Sequence, residues 1–353
     1  MRIVVAMSGG VDSSVAAALL ADEGHEVVGL SMQLYDQQEG QAGFGTCCSL
    51  EDLHDARRVA AAIGIPHYVV NFERQFDEHV VSNFVREYAA GRTPLPCARC
   101  NSDLKFATLL ERARGLGADR VATGHYARVD HDPGTGRFHL RRGADAARDQ
   151  SYFLFSLDQA QLAGAAFPVG GLDKPAVRTY ARNHRLPVAD KPDSQEICFV
   201  PDHDYASFVA RREPSVRREG RLVDQDGRVL GRHDGVHRFT VGQRKGLGLS
   251  APAPLYVLQV RAADGEVVVG PRAALERTKL TASGVNWIEP EPVGARRVSA
   301  QIRHRHPPAP GTVTAAGPGR AQLVFDEPQM AVTPGQAVVF YDGDLVVGGG
   351  WID

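Results

Sequence analysis

Ser8-Gly9-Gly10-Val11-Asp12-Ser13-Ser14 is the stretch on which the fold turns. The apolar run Ile3-Val4-Val5-Ala6-Met7 before it reads as a buried strand, and the helix formers Val15 to Glu23, closed by Gly24, follow it. A strand, a glycine turn and a helix in that order leave backbone N–H groups pointing outward at the positive end of a helix dipole, a setting suited to phosphate oxygens. Ser13 and Ser14 suit capping of the helix, with hydroxyls that could reach an anion. The turn is not a Walker-type loop, since no lysine follows the glycines, and it lacks the GxGxxG spacing. The alternative reading is a plain tight turn that feeds a Rossmann-like helix.

Outward from that turn the first half alternates strand and helix patterns. Glu26 to Tyr35 is strand-like; Leu50 to Ile63 is helical, with Leu53, Ala56, Val59, Ala60 and Ile63 on one stripe; His67 to Phe72 is a third strand. Gln75 to Ala90 is amphipathic, a further helix starts at Asp103 or Leu104 and runs to Leu116, and Arg120 to Ala127 is a fourth strand. Such alternation implies a parallel sheet with right-handed crossovers, whose ligands gather at the carboxyl ends of the strands. Ser8 to Ser14, Met32 and Gly124-His125 all fall at or just past predicted strand ends, so they can converge. From about Arg211 the texture changes to short strands around Asp226-Gly227, Asp264-Gly265 and Asp342-Gly343. Val267 to Gly270, Gln322 to Phe325 and Ala337 to Tyr341 fit short half-buried strands, and the prolines at 307, 308, 310 and 318 belong to loops or edges. This part reads as one or two small β domains with a soft boundary near Pro271 to Thr278.

At 353 residues the chain has room for two or three cores. No apolar run approaches membrane-spanning length, and Gly9, Gly10 and Asp12 interrupt any signal-peptide order, so a cytoplasmic protein with no membrane partner is expected. Five cysteines in a long chain argue against a disulfide scaffold. A net charge of −2 means that a nucleic-acid surface must come from local basic clusters such as Arg211-Arg212, Arg217-Arg218 and Arg296-Arg297, each of which also fits a plain solvated face.

Cys97-Ala98-Arg99-Cys100, read as lying just before a helix N-terminus, has its thiolates favoured by the dipole and by Arg99. Three readings stay open: a zinc site completed by Cys47-Cys48, a redox CxxC pair, and a reactive thiol at an active site. Cys198 is distant in sequence, and its flank Asp190-Lys191-Pro192-Asp193-Ser194-Gln195-Glu196 is a polar loop, not a core strand.

SGGVDSS resembles the pyrophosphate loop of the N-type ATP pyrophosphatases, which cleave ATP between the α and β phosphates and adenylate a carbonyl oxygen. SGGVDSS, GRTPLPCARCN, ATGHYAR, RDQSYFL, DSQEICF, TVGQRKGLG and PGQAVVFY, in one order from Met1 almost to Asp353, together resemble the bacterial tRNA-specific 2-thiouridylases. The resemblance implies an α/β fold in three parts. A Rossmann-like, parallel-sheet ATP pyrophosphatase domain would span 1–205, a small central β-rich domain that contacts tRNA 206–274, and a C-terminal β-barrel-like domain 275–353. It implies ATP-dependent 2-thiolation of the wobble uridine, with ATP and Mg²⁺ as substrate, no permanent cofactor and no metal centre. The partners would be the anticodon stem-loop of tRNA and a sulfur-relay or cysteine-desulfurase protein that donates persulfide.

Carried over by motif, Ala6, Met7, Ser8, Gly9, Gly10, Val11, Asp12 and Ser13 would hold ATP, with Met32 and Gly124 against the nucleotide. Cys198 would carry the persulfide. Cys100 would be the nucleophile that completes sulfur release, either liberating sulfide or closing a disulfide with Cys198. Asp12 would fix the loop, hold Mg²⁺ or cap the helix. Leu95, Pro96 and Cys97 match the segment that touches the target base, and His125, Arg148, Asp149, Gln150, Arg303, His304 and Gln336 match tRNA-contacting positions. His125 also reads as a histidine packed on the sheet. Leu95 stands where asparagine is common, Cys97 where some members have an acid–base aspartate, and Arg148 where lysine is common. No role is assigned to Cys47 and Cys48. Two rivals stand beside this reading: an ATP pyrophosphatase that amidates or ligates a small carboxylate, needing no thiol pair, and a tRNA- or metal-binding module whose glycine turn is only structural.

Overall fold

A computed structural model describes residues 1–34, 50–193, 197–200 and 204–353. The chain divides into two compact units, one of 1–80, 97–203 and 344–346, the other of 81–96, 204–343 and 347–353.

The first unit is built on a five-stranded parallel sheet. Strand β1 (Arg2–Ala6) leads through helix α1 (Val11–Asp22) to β2 (Glu26–Gln33), then through α2 (Leu50–Ile63) to β3 (His67–Asn71). The chain later returns on the other side of β1 as β4 (Arg120–Ala122), so the order is β3-β2-β1-β4 with a final two-residue strand, Ala165–Ala166, beyond β4. The direction of winding reverses between β1 and β4, which makes their carboxyl ends the crevice of the fold. Val4 and Val5 on β1 are fully buried, as a strand covered on both faces requires. Ala16, Ala17 and Val15 of α1 pack with Ala56, Val59 and Ala60 of α2 in one core.

The strand expected over Arg120 to Ala127 is shorter than its pattern. It stops at Ala122, and Ala127–Asp132 (β5) pairs antiparallel with Arg137–Arg142 (β6) instead. The helix expected over Gln75 to Ala90 is a composite, α-helical at Glu73–Phe76, π-helical at Asp77–Val81 and α-helical at Ser82–Ala89.

The second unit holds two β assemblies. Strands Gly220–Val223 and Val229–His233 form a hairpin, as do Tyr256–Arg261 and Glu266–Gly270, and the two hairpins join through a parallel pairing of Glu266–Gly270 with Gly220–Val223. Gly227 and Gly265 take positive φ at the two turns, +84° and +65°, which is what the Asp-Gly pairs foretell. The other assembly runs from Glu276–Trp287 through Arg320–Met330, Ala309–Ala315, Ala295–Gln301 and Ala337–Asp342 to the last strand, whose pairing back onto Glu276–Trp287 closes a six-stranded barrel. Its core includes Leu323, Val338 and Phe340, all fully buried. Pro310, expected in a loop or edge, lies inside Ala309–Ala315 opposite Ser299, one residue before that strand begins to pair on its other side at Gly311.

Residues 81–96 belong to this second unit and are strapped onto it. Tyr88 stacks on Tyr205 at 4.5 Å between centroids, and Phe84 meets Phe208 edge-on at 6.1 Å. Further along the strap, Thr93 N–H donates to Pro334 O at 2.9 Å, and Gln336 Nε2 donates to the carbonyls of Thr93 and Pro94 at 3.0 and 3.1 Å. Gly335, at φ +88°, lies so near the strap that an added Cβ would come within 2.9 Å of Thr93 N. We expect Gly335→Ala to cost more than about 1 kcal/mol of stability in urea titration, through both φ and overlap, and to speed amide exchange at Thr93.

Candidate active site

The cradle is backbone on both sides. α1 begins at Val11, earlier than the run from Val15, because Val11 is itself a core residue and packing overrides local propensity. Gly10 is the N-cap and no side chain caps the helix. Ser13 and Ser14 therefore do not cap as expected: they sit inside the helix, and their hydroxyls donate back to Gly10 O at 3.2 and 2.8 Å. Ser13 Oγ also accepts from Ser8 N at 3.2 Å, tightening the turn, and leaves Ser8 exposed at its rim. Gly9, at φ +74°, is pressed against the backbone of Asp52 in α2, where an added Cβ would overlap the Asp52 carbonyl. From the β4 side Gly124 covers the first turn of α1, and a Cβ there would lie 2.5 Å from Ser13 N and 2.6 Å from Asp12 C. Ala6 and Met7 close the floor, Met7 buried with its carbonyl accepting from Ser31 Oγ at 2.7 Å, and Met32 is buried near the carboxyl end of β2. Turn, Gly124 and Met32 thus stand at the carboxyl ends of β1, β4 and β2.

Asp12 points into an ion-pair chain. Its carboxylate accepts from Tyr126 Oη at 2.8 Å and from Lys174 Nζ at 2.8 and 2.9 Å. Lys174 is buried and its Nζ also lies 2.7 Å from Asp193 Oδ1. Asp193 in turn meets Arg148 at 2.7 Å and Arg178 at 3.3 Å. Burial pulls the Asp193 carboxyl up, but Lys174, then Arg148 and Arg178, outweigh it and hold the group below the usual carboxylate range. Burial, then the Asp12 charge, raises the Tyr126 phenol well above its ordinary value, so it stays a donor to Asp12. Lys191 bridges Asp52 at 2.7 Å and Asp55 at 2.6 Å, beside Gly9. Burial lowers Lys191, but the two carboxylates raise it further, and it stays charged.

None of Lys174, Arg178, Lys191, Asp193 or Tyr126 was singled out from sequence. A signal exists in hindsight. Lys174, Arg178 and Arg182 recur every fourth residue along the Lys174–Asn183 helix, and all three grip the segment before Cys198: Arg178 also donates to the carbonyls of Ala189 and Lys191, and Arg182 pairs with Asp190 at 2.7 Å. Lys174 opens that helix, where the dipole disfavours a cation, so its presence there asks for a carboxylate partner.

The thiols sit differently from expectation. Helical backbone starts at Pro96, not at Asp103 or Leu104, so Cys97 and Cys100 lie within the helix and not before it. Proline suits a first helical position, and reading Pro96 so would have moved the start. The dipole still acts on Cys97 in the first turn, and less on Cys100, where the backbone widens into a π-helix, Cys100–Thr108. Asn101, buried, fixes this turn by donating to Phe153 O at 3.1 Å and accepting from Lys105 at 3.0 Å. Cys97 is exposed; Cys100 and Cys198 are half-buried. Cys198 lies in a turn anchored by its neighbour Phe199, whose ring meets Phe76 edge-on at 5.5 Å. Cys47 and Cys48, and Ser194 to Glu196 of the flank, lie outside the described residues. Among the described residues no three His, Cys, Asp or Glu gather as a metal site, and no helix is long and apolar enough to cross a membrane.

The expected tRNA-contacting positions divide by what holds them. His125 is packed between Phe106 and Phe167, with Nδ1 2.6 Å from Thr123 Oγ1. Burial, then Lys105, pushes it well below its ordinary value, so it is neutral. Asp149 accepts from Gly143 N, Ser151 N, Ser151 Oγ and Arg142, and Gln150 exchanges two hydrogen bonds with the Tyr126 backbone, so both brace the loop. Arg148 alone of the three reaches outward, to Asp193. In the second unit Leu95 is half-buried and Pro96 buried, Gln336 is committed to the strap, Arg303 donates to Ala331 O at 2.7 Å, and His304 is exposed.

Family models described as tRNA methyl transferase HUP domain, tRNA methyl transferase PRC-barrel domain and aminomethyltransferase beta-barrel domain match residues 1–202, 206–271 and 277–352. The molecule is thus a HUP-domain protein with two appended β domains. The chain is 57% identical over 357 residues to the tRNA-specific 2-thiouridylase MnmA of Geotalea uraniireducens, covering 100% of this chain and 95% of that one. It is 56% identical to those of Geobacter metallireducens, covering 100% and 96%, and of Solibacter usitatus, covering 99% of each. It belongs to the tRNA-specific 2-thiouridylase family.

Because His125 is neutral when folded, the unfolded chain takes up a proton there first. Its contribution is whole above the unfolded value of about 6.5 and is lost as pH falls below it. We expect urea midpoints to drop between pH 7.5 and 5.5, and His125→Gln to flatten that drop by at most about 1.4 kcal/mol per pH unit.

Proposed function

We propose that the protein replaces the C2 oxygen of the wobble uridine of tRNA with sulfur, at the cost of ATP. What carries the reading is the presence of a glycine turn at the head of a helix and two half-buried thiols in one compact unit, in a chain collinear with 2-thiouridylases over its whole length.

ATP with Mg²⁺ binds with its phosphates on the N–H groups at the head of α1, between Gly9 and Gly124. The uridine, taken out of its stack, offers its C2 oxygen to the α-phosphorus. The O–P bond forms as the bond to pyrophosphate breaks, and C2 becomes electrophilic with AMP as its leaving group. Cys198 carries a persulfide received from a sulfur-relay or cysteine-desulfurase partner. Its terminal sulfur attacks C2 and AMP departs. The Cys100 thiolate then attacks the Cys198 sulfur and breaks the persulfide S–S bond. The two thiols end as a disulfide, and the transferred sulfur ends reduced in 2-thiouridine. In the alternative order Cys100 first liberates sulfide, which itself attacks C2. Cys97, exposed in the first helical turn, occupies the acid–base place of family members that have aspartate there. Leu95 and Pro96 line the target base. His125 and the Arg148 to Gln150, Arg303-His304 and Gln336 positions serve the tRNA, Asp149, Gln150 and Gln336 by bracing the segments that meet it.

The methyl-transfer wording of the family models names the rival chemistry. Mass spectrometry of tRNA after incubation with protein, ATP, Mg²⁺ and a persulfide donor separates the two. We expect one anticodon uridine to gain the mass of an oxygen-to-sulfur exchange, with AMP formed; a gain of one methylene would favour the rival. Cys198→Ser and Cys100→Ser are each expected to lower thiolation at least about a thousandfold while ATP binding persists. Gly124→Ala, which puts a methyl group on the Ser13 N–H, should abolish ATP binding in calorimetry and leave the thiols intact.

A further inference from the structure

Between the end of β1 and the glycines of the turn lies one peptide unit, Met7–Ser8, and both of its polar groups are held by side chains. Met7 O accepts from Ser31 Oγ at 2.7 Å, and Ser8 N–H donates to Ser13 Oγ at 3.2 Å. Because the unit is planar, its carbonyl and N–H turn together, so a grip on one fixes the other. Ser31 is buried on β2, and its oxygen also lies 2.9 Å from Nε2 of His67 on β3. A carbonyl can only accept, so the single Ser31 hydroxyl proton goes to Met7, and His67 must donate through Nε2–H. His67 Nδ1 is buried and takes no hydrogen bond among the described residues, so nothing on the other side of the ring opposes that tautomer. Burial, then Arg57, lowers the ring below its ordinary value and keeps it neutral. The parallel register sets His67 beside Gly29, whose N–H donates to Pro66 O at 2.8 Å. Gly29 leaves the space for the contact: an added Cβ would come 2.6 Å from Met7 Sδ and 3.0 Å from His67 Cδ2.

We propose that Ser31 and His67 are positioning residues for the nucleotide. The chain from His67 Nε2–H to Ser31 Oγ–H to Met7 O sets the plane of the Met7–Ser8 peptide, and with it the shape of the turn whose N–H groups meet the phosphates. Without the Ser31 hydroxyl the buried Met7 carbonyl loses that donor, and the peptide rotates toward another partner. Ser8 N–H then leaves Ser13 Oγ, and the turn has several shapes where it had one. A nucleotide that binds such a turn must also order it, which weakens binding. His67 acts one bond further back: it aims the Ser31 hydroxyl, so its loss is felt only through Ser31. The inference rests on the ATP reading of the turn.

The test is calorimetry on the full-length protein with a nucleotide analogue that has a non-hydrolysable α–β bridge, plus Mg²⁺. Ser31→Ala should weaken binding about tenfold, and His67→Asn about threefold. His67→Gln should stay within about twofold of the natural chain, because its amide nitrogen reaches the place of Nε2, whereas that of asparagine reaches only the place of Nδ1. The double substitution of Ser31→Ala with His67→Asn should bind within about twofold of Ser31→Ala alone, since both act on one carbonyl. In the thiolation assay the KM for ATP should rise in Ser31→Ala while kcat at saturating ATP holds. Should Ser31→Ala fail to fold, the His67 pair, at a half-buried position, decides alone. A folded Ser31→Ala chain of natural affinity, even if less stable, overturns the proposal, as the bonds are then structural only. Additive losses in the double variant, or equal affinities of the asparagine and glutamine variants, overturn the part given to His67. Failure of the analogue to bind the natural chain overturns the ATP reading and this inference with it.

Discussion

At the head of α1 the backbone is approached from two sides by backbone. Gly9 lies on Asp52 of α2 and Gly124 on Asp12 and Ser13, at distances that admit no Cβ. A helix N-terminus attracts anions through unsatisfied N–H groups, and these work only where water and side chains leave them room. The doubly wound sheet supplies that room by reversing direction between β1 and β4, so that two strand ends open on the same helix. The serines, which sequence logic would have made caps, are turned back onto Gly10, and the N–H groups are left for a ligand.

Magnitudes decide which of the surrounding charges matter. Taking an ammonium out of water costs several kcal/mol, and removing one partner from a buried pair costs about 3–5 kcal/mol because the other charge is stranded. Lys174 is in that regime. Arg182 and Asp190, at the far end of the same basic stripe, are exposed and contribute little by comparison. The stripe therefore has one structural end and one solvent end. Its structural end lies between Asp12 of the Ser8 to Ser14 turn and Asp193.

Much of this is legible in the sequence. The apolar run before Ser8, the stripe of Leu50 to Ile63 and the Asp-Gly turns each carry their own period or turn chemistry, and each became the element expected. The misses have separate causes. The pattern that begins at Arg120 outruns its strand because it continues into a hairpin that reverses direction, and pattern does not report direction. The helix bearing the cysteines starts earlier than its pattern suggests because Thr93-Pro94-Leu95-Pro96 looks like loop, whereas Pro96 is a helix opener. Lys174 is marked locally by its place at a helix start and by the basic stripe it opens, but neither mark says that Asp12, far away in sequence, is one of its partners.

The strap at 81–96 bears on how this molecule can be divided. A gene cut between residues 203 and 204, where the chain passes into the long stretch of the second unit, would release a front piece whose Phe84 and Tyr88 had lost Phe208 and Tyr205, and whose Thr93 had lost the Pro334 carbonyl. The remainder would keep an aromatic bed and a glycine notch with nothing lying in them. Neither fragment would be an autonomous module, so recombination that exchanged only the barrel would have to bring along a matching sixteen-residue insert from the other half of the gene.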